Sequence, residues 1–123
     1  VEVRVLSLVD STITSSAGAF TSVTGAIRYL RMRRRMQFQL VITIATSGAA
    51  AGVGAAMTAT LPNAVGASST SLAHGRINNT GVMVNGNCVA GGTTINSILT
   101  ATGDTAIVDG YVLVLNGSYE TDD

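Results

Sequence analysis

In the stretch MQFQLVITI, residues 36–44, apolar side chains fall on every second position. Met36, Phe38, Leu40, Ile42 and Ile44 share one face, and Gln37, Gln39, Val41 and Thr43 share the other. A period of two is the mark of a strand with one face buried. VEVRVLSL at the start alternates in the same way, with Val1, Val3 and Val5 on one face. FTSV and AIRYL read as strands after the turn SSAG, and MTATL places Met57, Ala59 and Leu61 inward before Pro62 ends it. In VMVNGNCV, Asn85-Gly86 is the preferred pair for a tight hairpin turn, so a hairpin is expected there. AGG closes the return strand, TINSILTA forms another and TGD turns it. The last strand, GYVLVLNGSYET, is apolar on both faces from Tyr111 to Leu115. It therefore either lies centrally between covered faces or presents its second face to another chain. No window combines a 3.6-residue apolar period with helix caps. The pattern predicts an all-β fold, an antiparallel β-sandwich or jelly roll.

The segment RMRRR, residues 31–35, interrupts this pattern with four of the seven arginines. It could be a nucleic-acid patch, the flank of a membrane helix or a hairpin turn. From Leu40 to Leu61 no charged residue appears, a length that can span a bilayer, and Gly48 and Gly52 form a GxxxG spacing. Against a membrane helix, the threonines at both ends of this segment follow the strand period. That leaves TSGAAAGVG as a loop between two strands, so no membrane insertion is expected. Read as one unbroken strand, residues 29–44 would put Arg34 on the face of Leu30, Met32, Met36 and Phe38. Burying an unpaired guanidinium there would cost several kcal/mol. A break at Arg33-Arg34 removes the conflict, and the absence of Gly or Asn points to a bulge or a longer loop. Arg31 and Arg35 then flank a hairpin tip, free to pair with Asp104, Asp109 or the C-terminal acids of a neighbouring chain. Arg31, Arg33, Arg34 and Arg35 are the candidate binding residues, for an anion or a neighbouring chain. On the same argument, replacing Arg33 with Gly should leave folding intact or improve it.

Composition narrows the classes. At 123 residues the chain is expected to form one domain, 1–123. Charged residues make up 11% and cancel to zero, which argues against a dedicated nucleic-acid binder. Apolar residues at 46% argue against disorder. Cys88 is the single cysteine, expected to point into packing, and rules out an internal disulfide. His74 is the single histidine, so a metal cluster would lack its usual second imidazole, and it reads as a polar residue near a strand start. Asp104 and Asp109 could serve a glycosidase, but turn chemistry explains them better. GVGAA and GGTT lack the lysine of a phosphate-binding loop, and the sequons at Asn78–Thr80 and Asn116–Ser118 are expected by chance in such a chain. No enzyme, cofactor or metal is expected.

RYLR…RRMQFQLVITI, followed in order by Leu61-Pro62, Gly75-Arg76, Thr80-Gly81, Gly110-Tyr111-Val112 and Tyr119-Glu120-Thr121, gives a resemblance over residues 18–121. The chain resembles the C-terminal β-sandwich, jelly-roll-like domain of bacteriophage tail fibre, tailspike and head-spike proteins. In that family a strand ending in Gly-Arg-Tyr turns tightly into a long aromatic and β-branched strand. A Leu-Pro closure and a final Gly-Tyr-Val strand with Tyr-Glu-Thr follow. Here Arg33 and Arg34 stand where the family has Gly in the turn. Asn63 stands where an aromatic follows Leu-Pro, and TAIVDG replaces a Tyr-Pro-Gly-Gly loop, so a binding specificity does not transfer. The resemblance implies a homotrimeric, non-catalytic virion domain at the C-terminal part of a longer chain, with other virion proteins and bacterial cell-surface polysaccharide as partners. The alternative is a capsid decoration or head-fibre protein that docks on the capsid. A glycan hydrolase fragment and a membrane adhesin fragment are the remaining function classes.

Overall fold

A computed structural model of the chain describes residues 2–8 and 13–122. Nine strands carry the described fold: β1 (Glu2–Leu8), β2 (Ile13–Ser15), β3 (Ser22–Met32), β4 (Arg35–Thr46), β5 (Met57–Thr60), β6 (Ser71–Ile77), β7 (Met83–Cys88), β8 (Thr94–Thr100) and β9 (Val112–Glu120). The segment from Leu40 to Leu61, long enough for a membrane helix, is instead β4, a single 3-10 turn (Gly48–Ala50) and β5. Among the described residues no helix is long and apolar enough to cross a membrane.

All strand pairs are antiparallel, in the order β1-β3-β4-β9-β6-β7-β8-β5-β2. The strands form one sheet that curls into a nearly closed barrel. Its two edge strands, β1 and β2, follow each other in the chain. β1 pairs with β3 over Glu2↔Arg31 to Leu8↔Gly25, and β2 pairs with β5 over Ile13↔Ala59 to Ser15↔Met57. The N-terminal segment thus reaches both ends of the seven remaining strands, and β2 also touches β3.

Alternation sorts the side chains as the pattern predicts. Met36, Phe38, Leu40, Ile42 and Ile44 are buried, as are Met57, Ala59 and Leu61. The side chains of Val1, Val3 and Val5 lie outside the described residues. β9 occupies the middle of the sheet between β4 and β6, with Leu113, Leu115 and Tyr119 inside and Val112 and Val114 half-buried outside. Its apolar second face, Val112 and Val114, lies on the outside of the sheet and stays partly exposed. Ser22-Val23 of FTSV and AIRYL belong to one strand, β3, while Phe20 and Thr21 precede it.

The expected turn at Asn85-Gly86 is corrected by the structure. Both residues lie inside β7, and Gly86 is absent from the positive-φ glycines that a tight turn would use. Period-two burial outweighs local turn preference here: Val84, Gly86 and Cys88 all point into the barrel. Gly86 faces Ile95, whose Cδ1 would stand 3.0 Å from an added Cβ. The turns fall instead at Asn78–Gly81 and Val89–Thr93, with Gly81 (φ 75°) and Gly91 (φ 76°) in the left-handed region. TINSILTA contains a β-bulge. Ser97 takes φ 56°, and Ile95 and Ile98 face Ala59 and Met57 from a strand with one extra residue. Both isoleucines are therefore fully buried, which strict alternation would forbid.

Ile13 is fully buried on β2 and is the apolar side chain that this short strand adds to the core. Ile13→Ala is expected to lower the unfolding free energy in a urea titration by about 2–5 kcal/mol. A loss below about 1 kcal/mol would show that β2 does not help close the barrel.

Candidate functional site

The four candidate arginines sit at one end of the barrel, where β3 turns into β4. Met32 pairs with Arg35, so the loop is the two residues Arg33 and Arg34 alone, not the bulge or longer loop expected. Arg33 has φ 57° while Arg34 does not share the positive sign. This is the φ pattern of a type II′ hairpin turn, for which Gly is preferred at the first central position. The tight loop keeps the sheet twist, and Arg33 carries the backbone strain.

The guanidinium groups diverge. Arg31 Nε donates to the Arg33 carbonyl at 2.8 Å, which braces the turn. Arg34 Nε donates to the Thr121 carbonyl at 3.0 Å, and its Nη2 meets Asp122 Oδ1 at 2.7 Å. The Thr121 amide donates back to the Arg34 carbonyl at 2.7 Å. Arg35 Nη2 reaches Ser118 Oγ at 3.3 Å on the outer face. Within the chain, the bonds of Asp104 and Asp109 go to Thr102, Thr100 and Ser47 and not to Arg31 or Arg35. Both partners of the Arg34–Asp122 pair are more than half exposed, so its worth is about 0.2–1 kcal/mol. The tip thus clasps Thr121 and Asp122 through Arg34.

The remaining candidates are occupied by structure. Asp109 Oδ1 accepts from the Ser47 hydroxyl and the Ser47 amide, both at 2.7 Å, and these bonds hold its carboxyl below the usual range. Asp104 accepts from Thr102 Oγ1 at 3.0 Å, and its amide donates to Thr100 Oγ1. Cys88 is buried, and that burial pushes its thiol up. This is the resting state of a packing cysteine and not of an activated nucleophile. His74 Nδ1 lies 3.4 Å from Asn85 Oδ1, an amide rather than a carboxylate. Among the described residues no group of three metal-ligating side chains occurs.

The outer surface of β9 offers more. Strand register aligns Gln39 with Asn116, Asn116 with His74, and His74 with Asn85, giving a polar row across β4, β9, β6 and β7. Three open depressions follow β9. The central one, ≈ 470 Å³, is lined by Gln37, Phe38, Leu72, His74, Asn116, Gly117 and Ser118. It shares Asn116 with a second, ≈ 440 Å³, that runs over Gly75, Arg76, Asn78 and Met83 beside Val114. It shares Ser118 with a third, ≈ 330 Å³, between Arg35, the hydroxyl run Ser68–Ser71 and Glu120. Together they make a trough about 20 Å long, the six strand steps of β9 from Val114 to Glu120.

Small residues shape its floor. A Cβ on Gly117 would come within 2.9 Å of Phe38 Cζ and 3.1 Å of Ala73 Cβ, so the ring packs directly beneath the strand. Gly75 is crossed so closely by the Val114 carbonyl that no side chain fits. Below the Arg35 end, Tyr119 turns inward, tilted 58° to the Phe38 ring at a centroid distance of 6.0 Å. Its hydroxyl donates to the Asn63 carbonyl at 2.9 Å, and burial pushes the phenol up to about 12. No periodicity or motif pointed to this trough, because β6 and β9 are far apart in the chain and meet only through the sheet. The chain matches no family model, no curated protein and no solved structure.

Two outcomes follow from this geometry. Arg33→Gly relieves a left-handed residue, and after the entropy cost of glycine it should raise stability by about 0.5–1 kcal/mol in chemical denaturation. A large loss would refute the turn assignment. Tyr119 must stay protonated in the fold, so its contribution is complete below about pH 10, where the unfolded phenol titrates, and declines as the pH rises towards about 12. Tyr119→Phe should cost about 1 kcal/mol at neutral pH through the lost Asn63 bond and flatten that alkaline decline. An unchanged alkaline slope would contradict the buried-phenol assignment.

Proposed function

We propose that this domain is a non-catalytic structural and host-attachment module of a phage or phage-like fibre or spike, holding bacterial surface glycan in the β9 trough. The observation that carries the reading is the lining of that trough. Amides (Gln37, Asn116, Asn78), hydroxyls (Ser118, Ser68, Ser69) and an imidazole (His74) stand beside the apolar side chains of exposed Leu72 and half-buried Val114. Sugars present the same mixture, hydroxyls around the ring edge and C–H groups on its faces. A shallow, open trough on rigid strands suits a polymer that lies along it rather than a small molecule that must be enclosed. The resemblance to fibre and spike domains supports the same assignment, as does the sheet's antiparallel all-β architecture.

The absence of turnover in this reading rests on the state of the reactive groups. Asp104 and Asp109 are committed to loop hydroxyls, Cys88 is buried, and His74 faces an amide. The homotrimer and the jelly-roll-like sandwich belong to the reading through the resemblance, and a virion is the location it implies.

Light scattering of the purified chain together with a bacterial glycan array tests the reading. A trimer that retains glycan without releasing product is the expected result. A monomer that binds capsids and no glycan would replace it with the decoration-protein alternative. Product release would make the domain a hydrolase.

A further inference from the structure

The chain is neutral overall, yet its charges are not evenly placed. The described carboxylates gather at loops and strand ends: Asp104 with Thr102, Asp109 with Ser47, and Asp122 with Arg34 and the Ala67 amide. Glu120, at the last position of β9, is the one carboxylate on strands β4, β6, β7 and β9. The walls of the trough carry the opposite sign. Arg76 and His74 stand on the β6 side, both exposed, and Arg35 stands on the β4 side. Glu120 is aligned with Arg35 and offsets it at that end. Arg76 is aligned with Val114 and Met83, neither of which can neutralise it.

We infer that the trough selects acidic glycan, with the carboxylate of a hexuronate unit held by Arg76 beside the amides of Asn78 and Asn116. The inference rests on the glycan reading of the same trough and adds the charge class of the ligand. The argument is one of complementarity. A guanidinium presents a planar fork of donors that fits a carboxylate, and Asn78 and Asn116 supply donors to ring hydroxyls on either side. Exposed Met83 offers an apolar face to the ring itself. Arg35 marks the far end of the trough, where Ser118 and the Ser68–Ser71 hydroxyls favour a less charged unit because Glu120 stands beside them.

The test compares polygalacturonate with its fully methyl-esterified form, which has the same ring hydroxyls and no charge. Affinity electrophoresis or calorimetry at physiological ionic strength reads the difference. The full chain should bind the acidic polymer at least tenfold more tightly. Arg76→Gln should remove roughly that tenfold preference, the loss of one charge-assisted contact, with an unchanged melting temperature. Val53→Thr, at an exposed position between β4 and β5 that lies outside the trough, should leave binding unaltered. Equal binding of the two polymers, or an Arg76→Gln variant with full preference, would overturn the acidic assignment while leaving the glycan reading intact. No binding to either polymer or to any saccharide on the array would remove both.

Discussion

An antiparallel sheet that stops leaves a row of unsatisfied amides and carbonyls at each edge, and the rest of this fold depends on how that row is met. One N-terminal segment covers the outer edges of β3 and β5, and its own strands β1 and β2 become the edges of the sheet. Its first part, β1, bonds to β3, and its second part, β2, bonds to β5. The sheet can then curl with an interior closed on nearly all sides. Closure makes inside and outside unequal, and strict alternation along β4, β9, β6 and β7 follows from that inequality. Every residue that gives β9 its polar exterior does so because its neighbour faces the core.

The trough follows from the same constraint. A barrel of short strands has room for one large side chain per level only if the facing positions are small. Gly117 and Ala73 give way to the Phe38 ring, and Gly75 lets the Val114 carbonyl approach. The outer face of β9 is left low between taller rows on β4 and β6. Asn116 and Ser118 sit along the bottom, with Gln37 and His74 above them. Two loops complete the groove, the turn at Asn78–Gly81 at one end and residues 68–70 at the other.

Much of this was readable from the residues, and the misses have physical causes. β4 and β5 announced themselves by period-two burial, and the Arg33-Arg34 turn followed from the cost of a buried guanidinium. Asn85-Gly86 misled because its turn preference is local, whereas Val84, Gly86 and Cys88 continue an inward period that only the neighbouring strands make decisive. The bulge at Ser97 hid a core pair, Ile95 and Ile98, behind spacing that looked wrong for a strand. β2 is three residues long and exists by virtue of β5, more than forty positions away. The partners of the arginines were equally illegible. Arg34 finds Asp122 of its own chain because β9 pairs with β4, a contact set by topology and not by spacing. For the same reason, Arg76, Asn78 and Asn116 were visible as residues but not as neighbours.

Amide hydrogen exchange across the N-terminal segment and its two partners is the most direct test of barrel closure. The account predicts that amides of β2 bonded to β5, and of β1 bonded to β3, are protected at a level independent of protein concentration and comparable with the outer strands β5 and β3. Exchange of β1 and β2 amides at the rate of an unstructured chain, with β3 and β5 still protected, would show an open sheet and contradict it.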